Sequence, residues 1–256
     1  MSRIINKETK VTLVGAGPGD IELLTIKGLK AIQKADVILY DALVNEQLLL
    51  EAPNAKHIFV GKRKGFKAYS QDEINRLIVE SAFEYGNVVR LKGGDSFVYG
   101  RGFEEIEFVE AFGIKTEVVP GISSSISVPA LAGIPVTHRS VSNSFYVLTG
   151  TLSDGSFNPE FKNAVNSNGT VVVLMGLSKI SNICELYRTH GKHNKSIAVI
   201  SNGSLENQRT VVGKIDTIEN IVKAESIQAP AIILIGEVVD LQKKYDSILK
   251  EVLVNN

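Results

Sequence analysis

The chain has 256 residues, 44% of them hydrophobic, and its 28 basic side chains balance 28 acidic ones. Zero formal charge speaks against a nucleic-acid or anionic-membrane binder, so an anionic ligand must meet a local cluster of cations. A single cysteine, Cys184, excludes a disulfide framework or multi-thiolate metal site and points to the reducing cytoplasm. The polar start from Met1 to Lys10 is unlike an export signal, and no apolar run is long enough to span a membrane.

Short apolar runs alternate with longer amphipathic stretches, the pattern of β-α units around largely parallel sheets. Val11 to Val14 reads as a buried strand, and Gly15-Ala16-Gly17-Pro18-Gly19-Asp20 breaks it. The stretch from Ile21 to Lys34 follows as a helix, with Leu23, Ile26, Leu29 and Ile32 on one face. Val37 to Tyr40, Ala55 to Gly61, Asn87 to Leu91 and Lys115 to Val119 are further strands, with helices over Gln71 to Glu84 and Phe103 to Phe112. Beyond Pro120 a second unit has strands at Ser144 to Thr149, Thr170 to Met175, Ser196 to Ser201, Gln208 to Val212 and Ala231 to Ile235. A helix over Ser178 to His190 lies among them, and the polar stretch Thr151 to Lys162 reads as a mobile loop. The Pro/Gly-rich segment around Pro120 marks the junction, giving α/β domains over residues 8–119 and 120–243 and a charged tail over 244–256.

The turn at Gly15 to Asp20 sits where a glycine-rich loop can cradle a cofactor, yet it is not a dinucleotide fingerprint. Asp20 stands where that fingerprint needs a small residue; a carboxylate there caps the helix and repels phosphate. A plain turn and cap is the competing reading. Lys92-Gly93-Gly94-Asp95 and Gly100-Arg101-Gly102 form a second glycine loop at a strand end, without the Gly-Lys-Ser/Thr ending of a triphosphate-binding loop. It is either a tight turn or a place where backbone approaches a ligand. Pro120-Gly121-Ile122-Ser123-Ser124-Ser125 introduces a helix, and its hydroxyls and free N–H groups either cap that helix or hold the polar end of a ligand. Serine hydrolase chemistry is excluded because Ser125 replaces the glycine of a nucleophile elbow. Gly61-Lys62-Arg63-Lys64 and Lys67 form a basic cluster after a strand, where α/β proteins gather ligand contacts; a solvated loop is the competing reading. His57, His138, His190 and His193 have no spacing that would build a zinc site, and Cys184 reads as a core residue.

In this order the motifs resemble the tetrapyrrole methylase family, and within it the uroporphyrinogen-III C-methyltransferases. The resemblance runs from Val11 to about residue 240 through Val11 to Asp20, Glu22-Leu23-Leu24-Thr25, Ala35 to Asp41, Gly61-Lys62-Arg63, Gln71 to Asn75 and Val89 to Asp95. It continues through Gly100-Arg101-Gly102, Val119 to Ile122, Ala132 to Arg139, Met175-Gly176, Asn202-Gly203, Gln208-Arg209 and Pro230-Ala231. It implies a cytoplasmic homodimer of two α/β domains with mainly parallel sheets and an active-site cleft between them, using S-adenosylmethionine and releasing S-adenosylhomocysteine. The implied reaction is C-methylation of uroporphyrinogen III at C2 and C7, giving precorrin-2 for sirohaem or cobalamin synthesis. Matched residue by residue, donor contacts fall on Pro18, Gly93, Gly94, Asp95, Val98, Ser123, Ser124, Met175, Gly203 and Ala231. Asp41 and Lys62 match acid/base positions, and Arg101 with Glu104 a pair implicated in substrate binding and proton removal. Lys62, Arg63, Arg101 and Arg139 are the cations implied for the carboxylates of the acceptor. A sulfonium donor removes the objection that Asp20 raises against nucleotides.

The sequence departs from the family pattern at Ala42, Ser96, Phe103 and Thr151, where many members have Arg, Pro, Gly and His. Ala42 and Thr151 motivate an alternative acceptor, a later precorrin of the cobalamin pathway. A nicotinamide oxidoreductase is opposed by Asp20, and a non-catalytic tetrapyrrole carrier by the retention of Asp41, Lys62, Arg101 and Glu104.

Overall fold

The computed structural model describes residues 9–61 and 69–242. They fall into two compact units that meet in sequence at Ser123 and Ser124. In the first unit the strands are β1 (Lys10–Gly15), β2 (Val37–Tyr40), β3 (Lys56–Phe59), β4 (Asn87–Lys92) and β5 (Lys115–Val119). All pair in parallel in the order β3-β2-β4-β1-β5. Whereas the edge strands β3 and β5 are more exposed, the inner strands β1, β2 and β4 are covered on both faces, which is why they read as largely apolar runs. Alternation divides them between two cores. Leu13, Leu39 and Val88 face helices α2 (Gln71–Tyr85) and α3 (Gly102–Glu110) through Ile74, Ile78, Ile106 and Val109. Val14, Ile38, Val89 and Leu91 face the opposite layer, where Ile32 of helix α1 (Ile26–Ile32) packs with Val44, Leu48 and Leu49.

The strand order creates the place for a site. From β1 the chain passes over the α1 face towards β2, whereas from β4 it leaves over the α3 face towards β5. Adjacent strands whose connections depart to opposite faces leave a crevice at their carboxyl ends. The glycine loops after β1 and β4 lie there.

Two helix boundaries follow from local chemistry. The stretch Ile21 to Lys34 is not one helix: a short 3-10 turn, Ile21–Leu23, is capped by Asp20, and α1 starts anew where the Thr25 hydroxyl accepts the Gly28 N–H at 3.0 Å. A reciprocal capping box between Ser70 and Glu73 starts α2, satisfying N–H groups that a helix terminus otherwise orphans.

The second unit begins with helix α4 (Ser124–Leu131) and contains β6 (Phe145–Thr149), α5 (Phe161–Ala164), β7 (Thr170–Leu174), α6 (Ile180–Thr189) and β8 (Ser196–Ser201). Strand β9 (Arg209–Lys214), helix α7 (Ile218–Ala224) and strand β10 (Ala231–Ile235) follow. The sheet order is β6-β7-β10-β8-β9. Only β6 and β7 pair in parallel there; β10 runs antiparallel to β7 and β8, and β9 antiparallel to β8. Parallel pairs prevail over the two sheets together, but the second sheet is mixed. The physical reason for the β8–β9 pairing is the connection Asn202–Gln208, too short for a parallel crossover, which needs a dozen or more residues.

The stretch Thr151 to Lys162, read as a loop, is tied down. Thr151 bridges Phe157, Asn158 donates to Thr149 O at 3.0 Å, and Phe161 is fully buried and stacks on Phe157. Cys184 lies in the core beside Tyr187 and Ile197, and burial pushes its thiol up to about 12. No helix among the described residues is long and apolar enough to cross a membrane. The charged tail over 244–256 lies outside the described residues.

Two measurements check this packing. A Cβ at Gly121 would sit 2.2 Å from Gly94 O and 2.6 Å from Gly15 Cα, so Gly121→Ala is expected to lower stability. Overpacking of this kind costs about 1–3 kcal/mol, to be read from the urea midpoint at unchanged slope. Cys184, buried and held as a thiol, is expected to resist iodoacetamide in the native protein and to react once the chain is denatured.

Candidate active site

At the carboxyl edge of the first sheet three backbones meet with no side chain between them. A Cβ at Gly15 would lie 2.5 Å from Gly121 Cα and 2.7 Å from Gly94 O. Glycine at these positions is therefore a packing requirement. Gly17 and Gly94, both at positive φ, exchange hydrogen bonds: Gly17 N–H donates to Gly94 O at 3.1 Å, and Gly94 N–H to Gly17 O at 2.6 Å. Ala16 N–H donates to Lys92 O at 2.7 Å, so the loops after β1 and β4 are zipped together.

Asp95 holds the third side. Its Oδ1 accepts the Phe97 N–H at 2.8 Å and its Oδ2 the Gly121 N–H at 3.0 Å, which ties the β4 loop to the turn after β5. The carboxylate thereby shapes the loop. Asp20 accepts the Glu22 N–H at 2.9 Å, and Asn45 donates to Gly19 O at 2.9 Å. Pro18, Gly93, Gly94, Asp95 and Val98 thus come together around the β1 and β4 ends.

The structure adds a group that the motifs concealed. Asp41, just past β2, receives Arg90 Nη2 on Oδ1 at 2.6 Å and faces Lys92 Nζ from Oδ2 at 3.6 Å. Glu105 on α3, fully buried, accepts on one oxygen, Oε1, from Arg90 Nε at 3.2 Å, Lys92 Nζ at 2.9 Å and Gln71 Nε2 at 3.1 Å. Its Oε2 is buried without a hydrogen-bond partner. Arg90 also donates from Nη1 to Leu91 O and Leu39 O at 3.2 and 3.4 Å. Two cations and two carboxylates therefore neutralise one another in an interior where an unpaired charge would be prohibitive. Burial works against the Arg90 cation, but Glu105 and Asp41 outweigh it and raise its pKa. For Lys92 burial and the nearby Arg90 charge prevail, and its pKa is lowered. The signal in the sequence was the pair of cations at alternate positions of the strand NVVRLK, interleaved with apolar Val89 and Leu91.

Arg101 occupies the left-handed region at φ 58° immediately before α3 and forms a two-point ion pair with Glu104, Nε to Oε1 at 2.9 Å and Nη2 to Oε2. Each partner's hydrogen bond to the other is the main cause of a raised Arg101 and a lowered Glu104 pKa. Both side chains are about half exposed. Exposed Phe97 and Phe103 pack edge to face beside them, and buried Ser96 sends its carbonyl to the Gly102 N–H at 3.0 Å. Lys62, Arg63, Lys64 and Lys67 lie outside the described residues.

In the second unit the predicted positions gather at one sheet edge. Met175 follows β7, Ala231 opens β10 and pairs in register with Ser201, and Gly203 lies just past the end of β8. Met175 is half exposed and left-handed at φ 51°; the Thr151 hydroxyl donates to its carbonyl at 2.8 Å. A Cβ at Gly203 would strike Val128 of α4 at 2.4 Å, so this loop packs directly on the helix that Ser124 begins. Buried Ser123 ends the first unit. Arg139 is exposed in the turn closed by the His138–Ser142 bridge, away from that edge in sequence.

Comparison with known proteins agrees with this architecture. Residues 10–219 match the Tetrapyrrole (Corrin/Porphyrin) Methylases. The chain is 46% identical over 235 residues to the uroporphyrinogen-III C-methyltransferase of Methanocaldococcus jannaschii, covering 91% of this chain and 97% of that one. It is 46% identical over 236 residues to the siroheme synthase of Actinobacillus pleuropneumoniae serotype 7, covering 91% of this chain but spanning only 48% of that relative. The crystal structure of uroporphyrin-III C-methyl transferase from Thermus thermophilus complexed with S-adenyl homocysteine matches with a TM-score of 0.78 and 36% identity, over 91% of this chain and 99% of that one. The chain belongs to the tetrapyrrole methylases.

Proposed function

We propose that this enzyme transfers methyl groups from S-adenosylmethionine to C2 and C7 of uroporphyrinogen III, giving precorrin-2. The observation that carries the reading is 46% identity across nearly the whole length of an archaeal uroporphyrinogen-III C-methyltransferase. A later precorrin as acceptor is less well supported, since it rests on Ala42 and Thr151 alone. Sirohaem is the favoured destination because a siroheme synthase is an equally similar relative over part of its length; cobalamin is a second use of the same product. The homodimeric state and cytoplasmic location belong to this proposal and rest on the resemblance.

S-Adenosylmethionine supplies an electrophilic methyl on a sulfonium centre. The residues fit it: the side-chain-free glycine contacts at the β1 and β4 ends admit a ligand to backbone, and carboxylates rather than a phosphate cradle surround them. Pro18, Gly93, Gly94, Asp95, Val98 and Ser123 of the first unit are assigned to the donor, with Ser124, Met175, Gly203 and Ala231 of the second. Arg101, Arg139, Lys62 and Arg63 are assigned to the acidic side chains of the acceptor, and Glu104 fixes the Arg101 fork. Asp41, with Lys62, is assigned to acid/base chemistry. Methylation leaves the macrocycle with an extra positive charge, which the loss of one proton to a carboxylate cancels. Orienting the pyrrole carbon is the larger part of the work, because displacement at carbon demands alignment at near-attack distance.

Anaerobic incubation with uroporphyrinogen III and S-adenosylmethionine is expected to add two methyl groups, read by mass spectrometry; a single addition seen only with a pre-methylated precorrin would overturn the acceptor. In the same assay Asp41→Asn is expected to lower kcat by about 10²–10⁴-fold while calorimetric binding of S-adenosylhomocysteine persists. Arg101→Ala, which removes a charge-assisted contact worth about 1.5–3 kcal/mol, is expected to lower kcat/KM for the macrocycle by about ten- to a hundredfold.

A further inference from the structure

Within the first unit the two oxygens of Asp41 are not equivalent. Oδ1 is committed to Arg90 Nη2 at 2.6 Å, a charge-assisted hydrogen bond, whereas Oδ2 stands 3.6 Å from Lys92 Nζ, close enough for charge attraction and too far for a hydrogen bond. The Asp41 side chain is 28% exposed, the only one of the four charged groups with appreciable access to solvent. Lys92 is itself pinned: its ammonium donates to Glu105 Oε1 at 2.9 Å from a fully buried site on α3, and Gln71 on α2 donates to the same oxygen. Among the described residues the charged groups facing Asp41 are Arg90 and Lys92 on β4, with Glu105 behind them on α3.

We propose that Lys92, anchored by Glu105, is a positioning residue for the reaction: together with Arg90 it fixes the orientation of the Asp41 carboxylate for removal of the proton from the methylated macrocycle. The proposal rests on the reading of Asp41 as an acid/base residue. In the step a C–H bond of the macrocycle breaks, its electron pair stays in the ring and cancels the charge brought by the methyl group, and an O–H bond forms on the Asp41 carboxylate. Lys92 touches neither substrate nor donor; it acts through Asp41.

The test uses the full chain, with wild type, Lys92→Met and the double variant Lys92→Met/Glu105→Gln in the uroporphyrinogen III methylation assay. Lys92→Met is expected to lower kcat by about a hundredfold, with KM for the macrocycle changed less than about threefold. The single variant leaves Glu105 buried with one cation fewer, and the double variant removes both charges. Its thermal stability and S-adenosylhomocysteine binding are therefore expected to recover while kcat stays low. A purely structural role for Lys92 predicts that kcat recovers with stability, and that outcome overturns the proposal, as does a Lys92→Met variant whose loss lies in KM rather than kcat. If Lys92→Met does not fold, the double variant alone decides by its kcat. A wild type that adds no methyl to uroporphyrinogen III overturns the underlying function instead, and the positioning role falls with it.

Discussion

Two cations on one buried strand constrain the first unit more than any other feature. Arg90 and Lys92 alternate with Val89 and Leu91 along β4, so both point into the layer beneath α2 and α3. Each ion there carries an effective desolvation cost of several kcal/mol unless it is paired and hydrogen-bonded. The pairing Tyr40 to Leu91 sets Asp41 beside them at the end of β2, and α3 must turn Glu105 inward. Once Glu105 faces the core, helical geometry sends its neighbour Glu104 to the surface, where it meets Arg101. The exposed fork and the buried tetrad are consequences of one rotation of one helix.

The glycine contacts add a second constraint at the same edge. With Gly15, Gly94 and Gly121 in backbone contact, the loops after β1, β4 and β5 cannot separate without losing packing that no side chain could replace. Asp95 locks the arrangement from the β4 side, and Lys92 locks it from within the layer. The four residues Lys92 to Asp95 thus carry a buried cation, two bare backbone units and a turn-forming carboxylate in immediate succession. A loop held this firmly presents its groups without reorganising when a ligand arrives, which is the condition for electrostatic stabilisation to act at the reacting centre.

Much of this was legible in the sequence, and the remainder was hidden for physical reasons. The strands were visible as apolar runs, and Asp20 announced itself as a cap. Strand direction in the second unit was not visible: β7, β8 and β10 are buried on both faces, so they read alike whether their neighbours run parallel or antiparallel. Only the short connection Asn202–Gln208 hinted at the hairpin-like return. The break between Ile21–Leu23 and α1 was masked by the spacing of Leu23, Ile26, Leu29 and Ile32, which continues across the Thr25 cap. In the site, the glycine motifs were readable because each is local, while the Arg101–Glu104 pair came only through the family resemblance. The tetrad was not, since residues 41, 90, 92 and 105 become neighbours only through the order β2-β4 and the facing of α3.

The second unit manages its sheet edge differently. Met175, Asn202 and Ser204 all adopt left-handed backbone there, a conformation that costs a non-glycine residue roughly 1–2 kcal/mol. Asparagine tolerates it, but methionine has no local hydrogen bond to offset it. Glycine at 175 would relax the chain at once, and Gly150 and Gly176 already sit beside it, packed so closely that a Cβ on Gly150 would lie 2.4 Å from Gly176 Cα. The Thr151 hydroxyl on the Met175 carbonyl supplies part of the restraint that keeps the strained backbone in place. Backbone strain of this kind persists only where the surrounding structure over-determines it. The half-exposed Met175 thioether, flexible and polarisable, thus offers an adaptable apolar contact on a backbone whose course is fixed.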